Sequence, residues 1–390
     1  MSERLPIRVG IVGTGFVARH FTLELQRRPA YRLGPVLTRR PLDRCTDFPC
    51  PEALTDSIAA LLDASDVIFE CSGSVTHSAS VVGDALATGK PVVTLNPEFH
   101  VTIGSAFVTR GLLSEAEGDQ PGCQAMLSEE ARARGFTPLV FGNLKGFLNR
   151  TPAPDEMAYW SRRNGLSMPM VTSFTDGTKV QIEQALVANG LGATIAREEL
   201  LGLATSDVAD GGRRLAEAAV RLGQPISDYL LDLSLPHGVF VVATHDPRQA
   251  DCLRYLKLGE GPYYTLLRPN IFVHLEVFNT IERVLQTGRP LLDNGRIPAI
   301  SVATVAKRTL EPGTRIDHAI GSFDARGICV RIADHPGHLP IGLADALHIR
   351  RRVAGGDLLS FDDVDIEPSP ALDLWLEIER NALANAPAFP

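Results

Sequence analysis

The chain has 390 residues, 44% of them hydrophobic, a composition ordinary for globular protein and a length too great for one ordinary core. With 46 acidic against 38 basic side chains its formal net charge is −8, which argues against a nucleic-acid or anionic-membrane surface. No apolar run is long enough to cross a bilayer, the opening Met1-Ser2-Glu3-Arg4 lacks the apolar region of a signal peptide, and Cys45, Cys50, Cys71, Cys123, Cys252 and Cys329 show neither a disulfide framework nor metal-ligand spacing, so a cytoplasmic protein with reduced thiols is expected.

Ile7-Arg8-Val9-Gly10-Ile11-Val12 reads as a strand, followed at once by Gly13-Thr14-Gly15-Phe16-Val17-Ala18 and an amphipathic stretch. Strand, glycine turn and helix start in that order let backbone approach a pyrophosphate and turn free N–H groups toward its charge. Gly13, Gly15, Phe16 and Val17 are therefore candidate dinucleotide contacts. Pro35-Val36-Leu37-Thr38 reads as a second strand, and its tip, Thr38-Arg39-Arg40, carries a hydroxyl and two guanidinium groups where an NAD-preferring site places a carboxylate. That chemistry favours the 2′-phosphate of NADP(H) over NAD(H). The alternative is two arginines on a solvated loop. Two further apolar runs end in Glu70-Cys71-Ser72-Gly73 and Asn96-Pro97-Glu98, with a crossover helix over 75–89 between them. Ligands lie beyond the carboxyl ends of such strands, so Cys71, Ser72, Gly73, Asn96 and Glu98 join the candidates, Asn96 for coenzyme and substrate alike.

A helical segment over 122–134 leads into Pro138-Leu139-Val140-Phe141-Gly142-Asn143, a buried strand, with Lys145 just past its end and ready to bind an anion or polarise an oxygen. Thr172, Ser173, Thr175, Asp176 and Lys179 form the densest polar run and precede a helical stretch. Two readings are open there. If a helix begins near Asp176, Asp176 and Lys179 share a face and suit acid/base work beside substrate-binding hydroxyls; otherwise Asp176 caps the helix and Lys179 points to water. Glu98, Asp176 and Glu183 could gather around a divalent ion but show no ligand spacing. Helices over 206–222 and to about 286, with strands over 238–244 and 263–267, predict a mixed sheet, and the last ninety residues read as short strands and turns. Arg350, Arg351 and Arg352 beside Asp357, Asp362 and Asp363 read as a solvated sheet edge.

The Gly13 turn, Glu70-Cys71-Ser72-Gly73, Asn96-Pro97-Glu98, Gly118-Asp119-Gln120-Pro121, the Asp176 to Lys179 segment and the Lys307-Arg308 region, in that order, resemble homoserine dehydrogenases in the first domain. Over most of the chain they resemble dehydrogenase-like proteins with a C-terminal SAF (β-clip) module, a group that includes deoxyxylulose phosphate reductoisomerase-like enzymes. The resemblance implies an α/β protein: a Rossmann domain over 1–125, an α+β catalytic domain with a mixed sheet over 126–300 and a small SAF-like module over 301–390. Homoserine dehydrogenases usually have Asn-Lys where this chain has Asn96-Pro97, so that family's active-site lysine is missing and homoserine is disfavoured. Asp176 and Lys179 resemble the aspartate and lysine that handle substrate and proton in the superfamily, with Lys145 replacing the lost charge. The implied activity is NADP-dependent hydride transfer to or from a small polar carbonyl or alcohol such as a ketose phosphate; a semialdehyde-type dehydrogenase and a silent NADP-binding sensor are the alternatives. A homo-oligomer is expected, since the terminal β module offers an edge for pairing.

Overall fold

The computed structural model describes residues 5–386, so the Met1-Ser2-Glu3-Arg4 start lies outside the described residues. The described residues divide into two compact units, one of residues 5–122 and 272–296, the other of residues 123–271 and 297–386.

In the first unit, β1 (Ile7–Val12), β2 (Tyr31–Leu37), β3 (Leu54–Thr55), β4 (Val67–Glu70), β5 (Val92–Thr94) and β6 (Leu113–Glu115) form one parallel sheet, ordered β3-β2-β1-β4-β5-β6. This is the doubly wound Rossmann order, and it puts a topological switch point between β1 and β4. The strands are apolar on both faces because helices cover both: Val9, Ile11, Val67, Phe69 and Val93 are fully buried on one face, Ile68 and Val92 on the other. Phe21, from helix Phe16–Leu25, stacks 4.7 Å from Phe278 of helix Val277–Thr287. Phe278 thereby ties residues 272–296 into a core whose strands lie far earlier in sequence.

In the second unit, β7 (Thr137–Lys145), β8 (Leu203–Ala204), β9 (Ile226–Leu231), β10 (Gly238–Thr244) and β11 (Tyr264–Pro269) form a mixed sheet ordered β11-β10-β7-β9-β8. β7 lies antiparallel to β10 and parallel to β9. β12 (Ile300–Ala306) pairs antiparallel with β14 (Ala325–Arg331), and β13 (Arg315–His318), β15 (Asp345–Ile349) and β16 (Val364–Asp365) form a small antiparallel sheet. Helix Thr178–Leu191 connects these layers and is buried from Val180 to Ala188. Polar side chains bind it to both sides. Gln181 Oε1 accepts from Cys329 N–H of β14 at 2.8 Å, while Gln184 Nε2 donates to Phe141 O of β7 at 3.1 Å and to Asp228 O of β9 at 2.8 Å.

The fold class expected from the sequence is the one observed, with three local differences. Strands β6 and β9 carry too little apolar alternation to be read: Ser227 and Asp228 occupy β9, yet both are fully buried, because Ser227 Oγ donates to Gln184 O at 2.7 Å and Asp228 accepts from Leu201 and Gly202 N–H at 2.9 Å each. The last ninety residues are not all strands and turns, since helix Pro370–Ala384, capped by Ser369, buries Trp375 and Ile378. Residues 172–175 precede the expected helix but also end one of their own, Met168–Thr175; Asp176 is its C-cap, and Gly177 at φ 87° starts the next, Thr178–Leu191.

Candidate functional site

The glycine turn sits over the carboxyl end of β1. Gly13 has φ +112°, and a Cβ there would lie 3.1 Å from Ser72 Cα, so only glycine lets the β1 and β4 ends approach this closely. At Gly15 nothing stands within 4 Å of a Cβ position, and the helix that begins with Phe16 has no side-chain cap and no acidic residue in its first turn. Open space before uncapped N–H groups is what a pyrophosphate needs, and these residues fit a bound dinucleotide. Phe16 is exposed and Val17 partly so, both in the first turn.

Around the turn, Thr38 is buried, its hydroxyl 3.3 Å from that of Thr14 and accepting the Arg40 N–H at 3.1 Å. Arg39 and Arg40 are exposed and diverge. Arg40 turns back to Cys45 and Asp47, whereas Arg39 is near enough to His77 that its charge adds to burial in lowering that imidazole's pKa. Cys71 is partly buried and donates to Val12 O at 3.5 Å; Gly73, at φ +69°, has open space beside it. Ser72 N–H and Asn96 Nδ2 both donate to the fully buried Glu70, at 2.8 and 2.9 Å. Burial pushes the Glu70 carboxyl above its ordinary range despite these bonds. Asn96 also caps helix Pro97–Ile103 through Phe99 N–H at 3.1 Å, so its side chain ties the carboxyl end of β4 to that helix; Glu98 is buried in the helix's first turn.

The second unit gathers its polar groups where β7 ends beside the junction of helices Met168–Thr175 and Thr178–Leu191. Lys145 is the last residue of β7, and its Nζ lies 2.9 Å from Oε2 of Glu183, which also accepts from Asn143 Nδ2 at 2.7 Å. Glu183 and Asn143 are fully buried, while the Lys145 side chain keeps 15% exposure. An ammonium on a buried carboxylate, with one face toward solvent, can donate to a substrate oxygen without wandering. Asn149 N–H donates to Thr175 O at 2.7 Å, which holds the loop after Lys145 against that junction. Phe147 and Thr175 line an apolar pocket there with Trp160, Phe174 and Leu233.

Asp176 has a different partner from the one its spacing suggests. Its Oδ2 lies 2.6 Å from Lys307 Nζ and its Oδ1 accepts the Thr178 N–H at 2.8 Å. Lys307, just past β12, also donates to Ser322 O at 2.5 Å; burial lowers its pKa, opposed by the Asp176 charge. Lys179 is partly buried in the first turn of its helix, four residues before Glu183. The hydroxyls of Thr172 and Ser173 are buried and donate to Met168 O and Met170 O of their own helix. Glu183, Asn143 and Lys307 complete these clusters, and it is their pairing with Lys145 and Asp176 that the sequence does not show. Lys307 stands 131 residues from its partner, and Glu183, considered in the sequence only as an ion ligand, stands 38 from Lys145. Among the described residues no three His, Cys, Asp or Glu side chains gather as a metal site, and no helix is long and apolar enough to cross a membrane.

Rossmann sheet, glycine cradle and a separate mixed-sheet unit define a nicotinamide-dinucleotide-dependent enzyme. Residues 13–102 match the family model of the homoserine dehydrogenase NAD-binding domain, and residues 118–277 match that of the catalytic domain of the oxidoreductase DRL. The resemblances read from the sequence are thus found for the homoserine dehydrogenase-type first domain and for the DRL-type catalytic domain, and the chain is an NAD(P)-dependent oxidoreductase. Among solved structures it is similar to UDP-N-acetylglucosamine 3-dehydrogenase from Acidithiobacillus ferrooxidans, at 14% identity over 75% of this chain and 93% of that one, with a TM-score of 0.43. It is also similar to D-galactose-1-dehydrogenase from Rhizobium etli, at 12% identity over 76% and 93% of the two chains, with a TM-score of 0.41. No curated protein sequence matches it significantly.

Proposed function

We propose that the protein uses NADP(H) to reduce a small polar carbonyl, or oxidise the matching alcohol, with a ketose phosphate as the first substrate to try. The observation that carries this reading is Lys145, an ammonium fixed 2.9 Å from buried Glu183 at a strand end yet still partly exposed. When bound, the coenzyme supplies or accepts the hydride. The chain's own groups do the rest. Lys145 binds the substrate oxygen and, with Lys179, handles the proton that accompanies the hydride; Glu183 and Asn143 hold Lys145 in place. Asp176, neutralised by Lys307, fixes the start of the helix that carries Lys179 and Glu183. Thr38 and Arg39 read the 2′-phosphate, with Arg40 beside them. The segment after 300 is proposed as an SAF-like module whose Lys307 braces the catalytic helix.

The test is NADPH oxidation over a panel of ketose phosphates, ketoses, semialdehydes and aldehydes by the wild type and by Lys145→Met. Turnover on one class, cut at least about 100-fold by Lys145→Met with NADPH affinity intact, is expected, the scale for losing a positioned charge in a reaction centre. Micromolar NADPH binding with no turnover on any class would favour the sensor reading instead.

A further inference from the structure

The tip of β2 carries no carboxylate in its own sequence, but the following loop brings one in. Asp47 Oδ1 lies 3.1 Å from Arg40 Nη2, and its Oδ2 lies 3.1 Å from Arg19 Nη1 on helix Phe16–Leu25. The carboxylate is held in position, because its loop neighbours Cys45 and Phe48 are buried at 0% and 3% exposure. Arg40 is fixed as well: its Nε donates to Cys45 Sγ at 3.2 Å and its N–H to Thr38 Oγ1 at 3.1 Å. Arg39, on the His77 side, makes no ion pair with a carboxylate among the described residues. One of the two guanidinium groups at the tip is thus already neutralised, together with the nearest arginine of the helix that follows the glycine turn.

We propose that Asp47 is a specificity-determining residue for the coenzyme: it competes with the adenosine 2′-phosphate for Arg40 and Arg19, and so sets how strongly the phosphorylated coenzyme is preferred. This rests on the NADP reading above. A phosphate dianion makes stronger charge-assisted bonds to a guanidinium fork than a carboxylate does. All three side chains are nearly half exposed, so the existing pairs break at little cost. Once displaced, the carboxylate stays close as a like charge. The unphosphorylated coenzyme meets neither the competition nor the repulsion, so the penalty is selective.

The experiment is equilibrium titration of the full chain with NADPH and with NADH, followed by calorimetry, for the wild type, Asp47→Asn, Arg40→Gln and the double variant. Asp47→Asn is expected to tighten NADPH roughly three- to tenfold at low salt, the effect of one like charge removed at short range near a surface, and to change NADH less than about twofold. The gain shrinks at about 0.5 M salt, where the Debye length is about 4 Å, and most of it disappears when Arg40 is Gln. An NADPH-to-NADH affinity ratio that stays the same or falls in Asp47→Asn overturns the inference. A wild type that binds NADH more tightly overturns the NADP reading itself, while the shift of the ratio in Asp47→Asn still decides the role of Asp47.

Discussion

Glu183 shows at the residue scale how much a single buried charge can organise. Its Oε2 takes both the Lys145 ammonium and the Asn143 amide, while its Oε1 and Asn143 Oδ1 are buried without partners. Such a carboxylate is held by its pair and destabilises whatever lacks it. Glu183→Gln keeps the shape and removes the charge, and is expected to cost about 1–3 kcal/mol in urea unfolding, below the full penalty because Lys145 can turn to water. Lys145→Met combined with Glu183→Leu recovers most of that loss, since an apolar pair leaves no charge buried. If the double variant is less stable than Glu183→Gln, the pair contributes more than its desolvation costs. Lys145 was legible in the sequence because a strand ends there; the pairing of Glu183 with it was not, because the two are 38 residues apart. Asp176 makes the same point. Spacing links it to Lys179 only within one helix, and Gly177 breaks that register, leaving Asp176 to Lys307.

At the element scale, polar residues that are nonetheless buried hide β9 from the sequence and, in helix Thr178–Leu191, which is legible as a helix, hide that both of its sides face protein. Apolar pattern identifies an element whose polar side faces water; here both sides face protein, and side-chain amides replace water as the partner. β1, β4, β5, β7 and β10 were legible because burial on both faces makes them plain apolar runs. Gln184 is the test of the buried polar seam. Its Nε2 lies within 3.2 Å of Phe141 O, Asp228 O, Ser227 Oγ and Gln124 Oε1, joining β7, β9 and the helix. Gln184→Leu fits the volume but takes the donor from these acceptors, and is expected to cost about 2–4 kcal/mol by chemical denaturation, more than one hydrogen bond because several buried groups lose their partner together. A loss below about 0.5 kcal/mol, the size of an ordinary surface change, would show that the seam does not hold the layers.

Across the whole molecule the buried titratable groups pull stability in opposite directions with pH. His100 and His338 are buried, which lowers their pKa values to about 3 and about 4, far below the 6.5 of an exposed imidazole. Each contributes stability that is present near neutrality and is lost as pH falls below about 6.5, because the unfolded chain then takes up a proton that the folded chain refuses. Asp228 has the opposite sign. Burial raises its carboxyl to about 6 from 3.8, so its contribution is full in acid and is lost as pH rises through about 6. Over these three groups alone, between about pH 6 and pH 4 the two histidines outweigh the one aspartate by about one proton, roughly 1.4 kcal/mol lost for each unit of acidification, and buried Glu70, whose carboxyl is also raised by burial, acts with Asp228 against that loss. His338→Gln can keep a hydrogen bond to Ser301 Oγ, 2.8 Å from the present Nε2, and removes one of the two opposing protons. The remaining histidine and Asp228 then nearly cancel, so the slope of unfolding free energy against pH over that window is expected to flatten by about 1.4 kcal/mol per unit relative to wild type. Denaturant unfolding at closely spaced pH values measures that difference directly, and equal slopes for the two proteins would mean that His338 takes up its proton without unfolding.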